Sequence, residues 1–321
     1  MNTQDIFQPL ISFKEQLTLS PVITYKESFY YESVIVCGMG GSALAAQITK
    51  LLFPDIAITL HNTYGLPALY NRETTLIILN SYSGDTEEII EGYERAKKDN
   101  AHMLCISKGG KLLQLAEQDR VPHIILPEIG VEPRFSLGHQ IIALLTALGE
   151  TEKIARLVRE LDNLQINQLI ETTAVYADQL HATYPVLYAS QNLFPVAYLI
   201  KAAINEGAKQ PCFVHSIPEA DHNEIQSFVR DTSNESKSFS FLFLESSYDH
   251  VRISKRFKVM KELYEQENFK VLTSTYNHTS ILSIFEAIIS GYALAIHLAT
   301  LRQADPYKTP FIKLFKEKMS Q

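Results

Sequence analysis

The 321-residue chain has 46% hydrophobic and 20% charged residues, which is the composition of a globular protein long enough for two domains. A formal net charge of −7 argues against nucleic acid as the main partner. The three cysteines are widely spaced and odd in number, which predicts buried free thiols in a reducing compartment. Because the N-terminus lacks a signal-peptide pattern and no run approaches the roughly 18 apolar residues of a membrane span, we expect a cytoplasmic protein without a membrane partner.

The first half of the chain alternates short apolar runs with amphipathic stretches, after a helical lead-in over residues 1–32. The apolar runs fit buried parallel strands and lie at 33–37, 57–60, 75–80, 102–106 and 122–126. The stretches between them have the length and periodicity of crossover helices and lie at 41–53, 84–98 and 110–118. This pattern predicts a five-stranded parallel sheet with helices on both faces.

A long helical region over about 136–182 separates this half from a second one of similar outline. Apolar runs resume at 186–188, 211–214, 239–244 and 270–273, and helices are predicted at 195–205, 249–265, 279–301 and 310–319. We therefore predict an α/β protein of two similar domains, residues 1–150 and 151–321. Each is expected to hold a mostly parallel five-stranded sheet between two layers of helices.

Two turns rich in small hydroxyl side chains follow strands of the first predicted sheet. Residues 38–43 read Gly-Met-Gly-Gly-Ser-Ala, and residues 81–88 read Ser-Tyr-Ser-Gly-Asp-Thr-Glu-Glu. Ligands of parallel sheets bind beyond the carboxyl ends of strands, and helix N-termini favour anions there. We therefore predict that a phosphorylated small molecule binds at these turns, through Gly40, Gly41, Ser42, Ser81, Ser83 and Thr86. The run Tyr188-Ala189-Ser190 is a weakened copy in the second half.

Other interpretations of the two turns remain open. Residues 38–43 also fit a loose dinucleotide fingerprint, but the next predicted strand ends in Leu60-His61-Asn62, without the acid that would meet a ribose. The glycines could serve only to close a tight turn. Asp85 and Glu88 have the spacing of a helix cap, which would explain Asp85 but not the neighbouring hydroxyls. No dinucleotide cofactor is expected.

The two turns, taken in order, resemble those of the sugar isomerase (SIS) domain. Residues 205–209 (Asn-Glu-Gly-Ala-Lys) and 218–224 (Pro-Glu-Ala-Asp-His-Asn-Glu) are similar to two motifs of the bifunctional phosphoglucose/phosphomannose isomerases. Arg134 resembles an arginine of that family, and Lys316 its C-terminal lysine. The resemblance covers nearly the whole chain. This sequence departs from it at Gly207, where the family has asparagine, and at Ala220-Asp221, where it has Leu-Asn.

The resemblance implies a metal-independent and cofactor-free isomerase that interconverts glucose 6-phosphate, mannose 6-phosphate or both with fructose 6-phosphate through a cis-enediol. It assigns proton transfer to Glu206, stabilisation of the enediolate to Arg134, ring opening to His222 and assistance to Lys316. It also implies a homodimer with shared active sites, since the family's histidine reaches into the partner subunit. Asp221 and Glu224 flank His222, and either is a candidate to bias its protonation.

Without the resemblance, Glu206, His222 and Lys316 would be read as solvated surface residues. The histidines show no tight metal-ligand spacing, so no metal site is expected. Two other functions remain open: a non-catalytic sugar-phosphate-binding SIS protein and an amino-sugar phosphate isomerase.

Overall fold

The computed structural model describes residues 5–26, 30–68, 70–128, 130, 132–229 and 238–319. The chain forms two compact units. The first unit is Ser12–Asp162, and the second unit combines Met1–Ile11 with Asn163–Gln321. The boundary predicted from the sequence lies between residues 150 and 151.

The first unit contains a parallel sheet of five strands in the order β2-β1-β3-β4-β5. The strands are β1 Ser33–Gly38, β2 Ile58–His61, β3 Thr75–Asn80, β4 His102–Ser107 and β5 His123–Ile125. The central strand β3 is wholly buried, because helices cover both faces of a parallel sheet. The predicted five-stranded sheet is confirmed for this half.

Helices are numbered along the whole chain. The short helix α1, Gln8–Ile11, belongs to the second unit. Those of the first unit are α2 Gly40–Leu52, α3 Glu87–Lys98, α4 Gly110–Gln118, α5 Leu137–Ala147 and α6 Thr151–Leu161. Those that follow in the second unit are α7 Ile166–Leu180, α8 Phe194–Ala203, α9 Val251–Gln266, α10 Ile281–Leu301 and α11 Pro310–Met319. The predicted helical region 136–182 is therefore three helices, α5 to α7.

The second unit contains a parallel sheet with the order β7-β6-β8-β9. Its strands are β6 Tyr184–Ser190, β7 Phe213–Ile217, β8 Phe239–Ser246 and β9 Lys270–Tyr276. The prediction of five strands is wrong here, since the described residues form a sheet of four. The cause is visible in the sequence, because this half contains four apolar strand-like runs.

Helix α10 has 21 residues and is long and apolar enough to cross a membrane by length and composition alone. The expectation that no run approaches this length was therefore wrong. Most of the helix is buried, and it packs against α7 and α8 of the same unit. A core helix of this kind passes the same test of length and composition.

The three cysteines are buried and free, as predicted. Burial raises the pKa of Cys37 and of Cys212 to about 12. A thiol with so high a pKa remains protonated at neutral pH and is a weak nucleophile. These side chains therefore contribute to packing.

Candidate active site

The first hydroxyl turn joins β1 to α2. Helix α2 begins at Gly40, whose φ of +50° favours glycine. Ser42 is buried, and its Oγ accepts a hydrogen bond from the backbone N–H of Tyr82 at 3.3 Å. The side-chain amide of Asn80 donates to the carbonyl oxygen of Ser42 at 3.2 Å. These contacts hold the two hydroxyl turns side by side at the carboxyl ends of β1 and β3.

The second hydroxyl turn joins β3 to α3 and is closed by its own side chains. The hydroxyl oxygens of Ser81 and Thr86 lie 2.8 Å apart, and the N–H of Gly84 donates to Ser81 Oγ at 3.1 Å. The N–H of Asp85 donates to Ser83 Oγ at 3.3 Å. Four of the predicted phosphate ligands thus take part in connected turns of the first unit.

The hydrogen bonds of these turns leave hydroxyl protons unused within the part of the chain that the structure describes. Ser42 and Ser83 accept from backbone N–H groups, so each can still donate its own proton. Ser81 and Thr86 share one hydrogen bond, so one of their two protons is also left over. The first turns of α2 and α3 add backbone N–H groups without intrahelical acceptors. This arrangement of donors suits an anion.

Asp85 does not cap α3. The cap residue is Thr86, whose side chain makes no capping hydrogen bond, and Asp85 Oδ1 instead accepts from the N–H of Lys111 at 2.9 Å. The interpretation of Asp85 as a helix cap is therefore wrong. This hydrogen bond connects the second hydroxyl turn to the first turn of α4.

Arg134 lies beside the first hydroxyl turn, in the short 3₁₀ helix Pro133–Phe135. A Cβ atom placed on Gly41 would be 3.6 Å from the Cα of Arg134, so the two backbones are in contact. The Arg134 side chain is only 10% exposed, and its Nη1 lies 3.6 Å from a carboxylate oxygen of Glu132. Two residues of the preceding loop, 129 and 131, lie outside the described residues. The structure thus brings Arg134 together with the glycine turn.

Glu206 lies in an irregular turn at the end of α8. The sequence predicts a helix over 195–205, but the α-helix ends at Ala203 and the chain continues as a π-helical turn, Ile204–Ala208. Such turns occur often at functional sites. The Lys209 ammonium donates to the carbonyl oxygens of Glu206, of Gly207 at 3.2 Å and of Asp305 at 2.8 Å. The motif contains Lys209, yet no local pattern in the sequence indicates this anchoring role.

His222 ends a 3₁₀ turn, Ala220–His222, that follows β7, and its side chain is 64% exposed. The nearest carboxylate oxygen of Asp221 lies 4.0 Å from its Nε2. The other oxygen of Asp221 accepts from Arg256 at 2.7 Å. Glu224 pairs with His215 at 2.9 Å. Asp221 and Glu224, which flank His222 in the sequence, therefore have closer side-chain partners in Arg256 and His215.

Lys316 lies on α11, none of whose residues is buried. Apolar side chains share this exposure, and Phe311 is 83% exposed. The predicted site residues thus fall into two groups. Arg134 belongs to the first unit with the six turn residues, whereas Glu206, His222 and Lys316 lie on three separate elements of the second unit.

Comparisons with known proteins show which proteins this chain is similar to. A family model described as the bacterial phospho-glucose isomerase C-terminal SIS domain matches residues 171–319. A bifunctional phosphoglucose/phosphomannose isomerase of Thermoplasma volcanium is 28% identical over 96% of this chain and 99% of its own length. The chain is therefore similar over nearly its whole length to bifunctional phosphoglucose/phosphomannose isomerases, and residues 171–319 match the SIS-domain model. On the similarity to these curated isomerases, the protein is an enzyme of the isomerase class.

Two further similarities extend the comparison. A D-glucosamine-6-phosphate 4-epimerase of Sulfolobus acidocaldarius is 32% identical over 64% of this chain and 66% of its own length. The crystal structure of a hypothetical protein from Thermus thermophilus has a TM-score of 0.71 at 15% identity, and the match covers 99% of this chain and 87% of the other. That second similarity concerns the fold alone. It supports two α/β units of this type.

Proposed function

We propose that the protein interconverts glucose 6-phosphate, mannose 6-phosphate or both with fructose 6-phosphate. The observation that carries this proposal is the set of unused hydroxyl protons at the N-termini of α2 and α3, which suits a phosphate dianion. The phosphate would be held by Gly40, Gly41, Ser42, Ser81, Ser83 and Thr86.

The reaction moves a proton between C1 and C2 of the sugar through a cis-enediol. One base must take the proton from one carbon and return it to the other, and we assign this step to Glu206. The negative charge that develops on the enediolate needs a fixed cation. Arg134 has a permanently charged guanidinium and a backbone in contact with Gly41, which supports its assignment to that role.

Hexose phosphates are mostly rings in solution, so a group must also open the ring. We assign the ring protons to His222, because an imidazole exchanges protons near neutral pH. Its high exposure is consistent with a side chain that reaches a site on a second copy of the chain, and we propose a homodimer with shared active sites. Lys316 would assist ring opening from α11.

We also propose that the reaction needs no metal and takes place in the cytoplasm. The described residues contain no group of three or more His, Cys, Asp or Glu side chains arranged to hold a metal ion. Activity should survive treatment with EDTA. A loss of activity that added Zn²⁺ restores would contradict the metal-free mechanism.

A single site can serve both aldoses. The enediol has no stereocentre at C2, so the proton can be returned to either face.

The decisive test of the base is Glu206→Gln, which keeps the shape of the side chain and removes its basicity. We expect turnover of fructose 6-phosphate to fall by about 10³-fold or more, while sugar-phosphate binding measured by calorimetry persists. Glu171→Gln, an exposed substitution on α7, serves as the matched control and should retain full turnover. Near-normal turnover in Glu206→Gln would remove Glu206 from the base role.

A second candidate, an amino-sugar phosphate as the substrate, is favoured by the 32% identity to the Sulfolobus acidocaldarius epimerase. Parallel assays with fructose 6-phosphate and glucosamine 6-phosphate distinguish the two functions. Turnover of glucosamine 6-phosphate alone would replace the first proposal. Binding of either sugar phosphate without turnover would indicate a non-catalytic sugar-phosphate-binding protein.

A further inference from the structure

The loop that carries His222 is attached to the second unit on both sides of the imidazole. It covers residues 218–224, leaves β7 at the edge of the sheet and continues into a second short 3₁₀ helix, Glu224–Phe228. An exposed loop at a sheet edge would ordinarily have many conformations. The side chains on either side of His222 decide whether this one does.

Glu224 anchors the loop after His222. Its Oε1 accepts a hydrogen bond from the Tyr188 hydroxyl at 2.6 Å, and its Oε2 lies 2.9 Å from His215 Nδ1. Tyr188 on β6 is fully buried, and its hydroxyl also lies 3.4 Å from that of Tyr264 on α9. The carboxylate thus contacts side chains of both strands at this side of the sheet, since Tyr188 and His215 are paired across β6 and β7.

Asp221 anchors the loop before His222. Its side chain is only 7% exposed, and its Oδ2 accepts from Arg256 Nη1 of α9 at 2.7 Å. A hydrogen bond between a guanidinium and a carboxylate is shorter and stronger than one between neutral groups. Asp221 therefore fixes the loop to a helix, whereas Glu224 fixes it to the sheet.

Apolar contacts support the same two attachments. Ala220 is buried in a cluster with Ile217, Phe241 and Phe257, and Phe228 packs against that cluster. His222 and Asn223, between the two acidic anchors, are both exposed. The loop is therefore held in place while the imidazole remains accessible.

We propose that Glu224, held by Tyr188, and Asp221, held by Arg256, are positioning residues for His222. The inference rests on the proposed role of His222 in ring opening. An exposed imidazole can act on a bound sugar only if its backbone is fixed, because loss of orientation lowers the rate steeply. The two acids of the motif thus serve to hold the histidine in place.

The test combines Tyr188→Phe with His222→Gln. Tyr188→Phe removes the hydroxyl that holds Glu224 and should lower kcat for fructose 6-phosphate about tenfold with little change in KM. The same substitution in the His222→Gln background should cost less than about twofold, because the group being positioned is already absent. Glu224→Gln, which keeps an acceptor for Tyr188, should retain more activity than Glu224→Leu.

The matched control is Tyr93→Phe in the first unit. Tyr93 is also fully buried, and its hydroxyl donates to the carboxylate of Asp119 at 2.8 Å. Tyr93→Phe removes the same kind of hydrogen bond and should leave kcat unchanged. Equal losses from Tyr188→Phe in both backgrounds, or an equal loss of kcat in Tyr93→Phe, would overturn the positioning role.

Hydrogen exchange separates this inference from the proposed function. Amides of residues 219–223 should exchange faster in Tyr188→Phe and in Arg256→Gln than in the unmodified protein, and Tyr93→Phe should not change them. Unchanged exchange in both loop variants would refute the anchoring, whatever the activity. Faster exchange with wild-type turnover in His222→Gln would retain the anchoring and refute the ring-opening role.

Discussion

Each of the two sheets has a point where the strand order reverses, and the sheets differ most at the carboxyl ends of the strands beside that point. In the first unit the reversal lies between β1 and β3, at the two hydroxyl turns. In the second unit it lies between β6 and β8. Parallel sheets bind ligands at such points. The same architecture therefore offers two places for an anion, and the side chains decide which can be used.

At the second reversal the protein places a carboxylate of its own. The side chain of Asp249 is only 2% exposed, and its oxygens accept from Asn192 Nδ2 at 2.8 Å and from the N–H of Ser246 at 3.3 Å. His278 Nδ1 lies 2.7 Å from Ser246 Oγ and 3.8 Å from Asp249. A buried negative charge in this position repels a phosphate. The comparison indicates that function depends on the turn residues rather than on the sheet.

We expect the largest effect from a substitution that disrupts the second hydroxyl turn of the first unit. Gly84 has a φ of +80°, and a Cβ atom there would lie 1.8 Å from the carbonyl oxygen of Gly109. Gly84→Ala should therefore destabilise the protein by about 3 kcal/mol or more and abolish phosphate binding. Gly149→Ala, at φ +74° with open space around it, isolates the backbone strain and should cost about 1 kcal/mol. Urea unfolding measures both, and equal costs would contradict the clash.

The second prediction concerns the turn around Asp249 in the second unit. Asp249→Asn removes a buried charge while its hydrogen-bonding partners stay in place. We expect a loss of about 2 kcal/mol in the free energy of unfolding. The KM for fructose 6-phosphate should stay within about twofold, because this turn does not bind the phosphate. A large rise in KM with unchanged stability would show that this turn contacts the substrate.

The third prediction is that the stability of the two units responds differently to a fall in pH. Burial of His139 on α5 of the first unit lowers its pKa to about 4, so the unfolded chain binds the extra proton between that pH and the ordinary value of 6.5. Stability should therefore be lost as the pH falls, by about 2 kcal/mol at pH 5. In the second unit, burial raises the pKa of Glu245 and of Glu286. These two groups have the opposite effect, because they increase the stability as the pH falls.

Hydrogen exchange at pH 7.5 and pH 5, corrected for intrinsic rates, should show α5 losing protection relative to α10. His139→Leu should flatten this dependence in the first unit. Equal loss of protection in both helices, or a slope that the substitution leaves unchanged, would contradict the assignment to His139.

The smallest expected effect removes one phosphate donor. Ser83→Ala deletes a half-buried hydroxyl of the first unit and should raise KM for fructose 6-phosphate about fivefold, which corresponds to one lost hydrogen bond of roughly 1 kcal/mol. Ser247→Ala, an exposed serine that follows β8, is the matched control and should leave KM unchanged. Equal effects from the two substitutions would remove the distinction between the turns.

The sequence predicted the features that depend on local pattern. Apolar runs indicated the strands, and hydroxyl residues after two of them marked the turns of the first unit. Contacts between residues far apart in the sequence could not be predicted from it. Asp85 has the spacing of a helix cap, but its carboxylate accepts from Lys111, on another helix. Glu224 is the last residue of the motif that contains His222, but its partner is Tyr188 on a strand. No local rule identifies such pairs, because their geometry exists only after the sheet has formed.

The π-helical turn around Glu206 was missed for the same reason. Residues 197–208 have the composition of an ordinary helix, and the irregular turn is held by Lys209 and by the carbonyl oxygen of Asp305, far along the chain. The predicted number of strands in the second unit was wrong for a different reason. There the prediction extended the first sheet by analogy beyond the four runs that are present.

Phosphate binding at the hydroxyl turns is tested by a titration of ¹⁵N-labelled protein with fructose 6-phosphate, followed by amide chemical shifts. We expect saturable shifts at Gly41, Ser42, Ser83 and Gly84, with none at Asn192, Ser247 and Asp249. Shifts confined to the second group, or absent from the first at saturating ligand, would contradict phosphate binding at these turns.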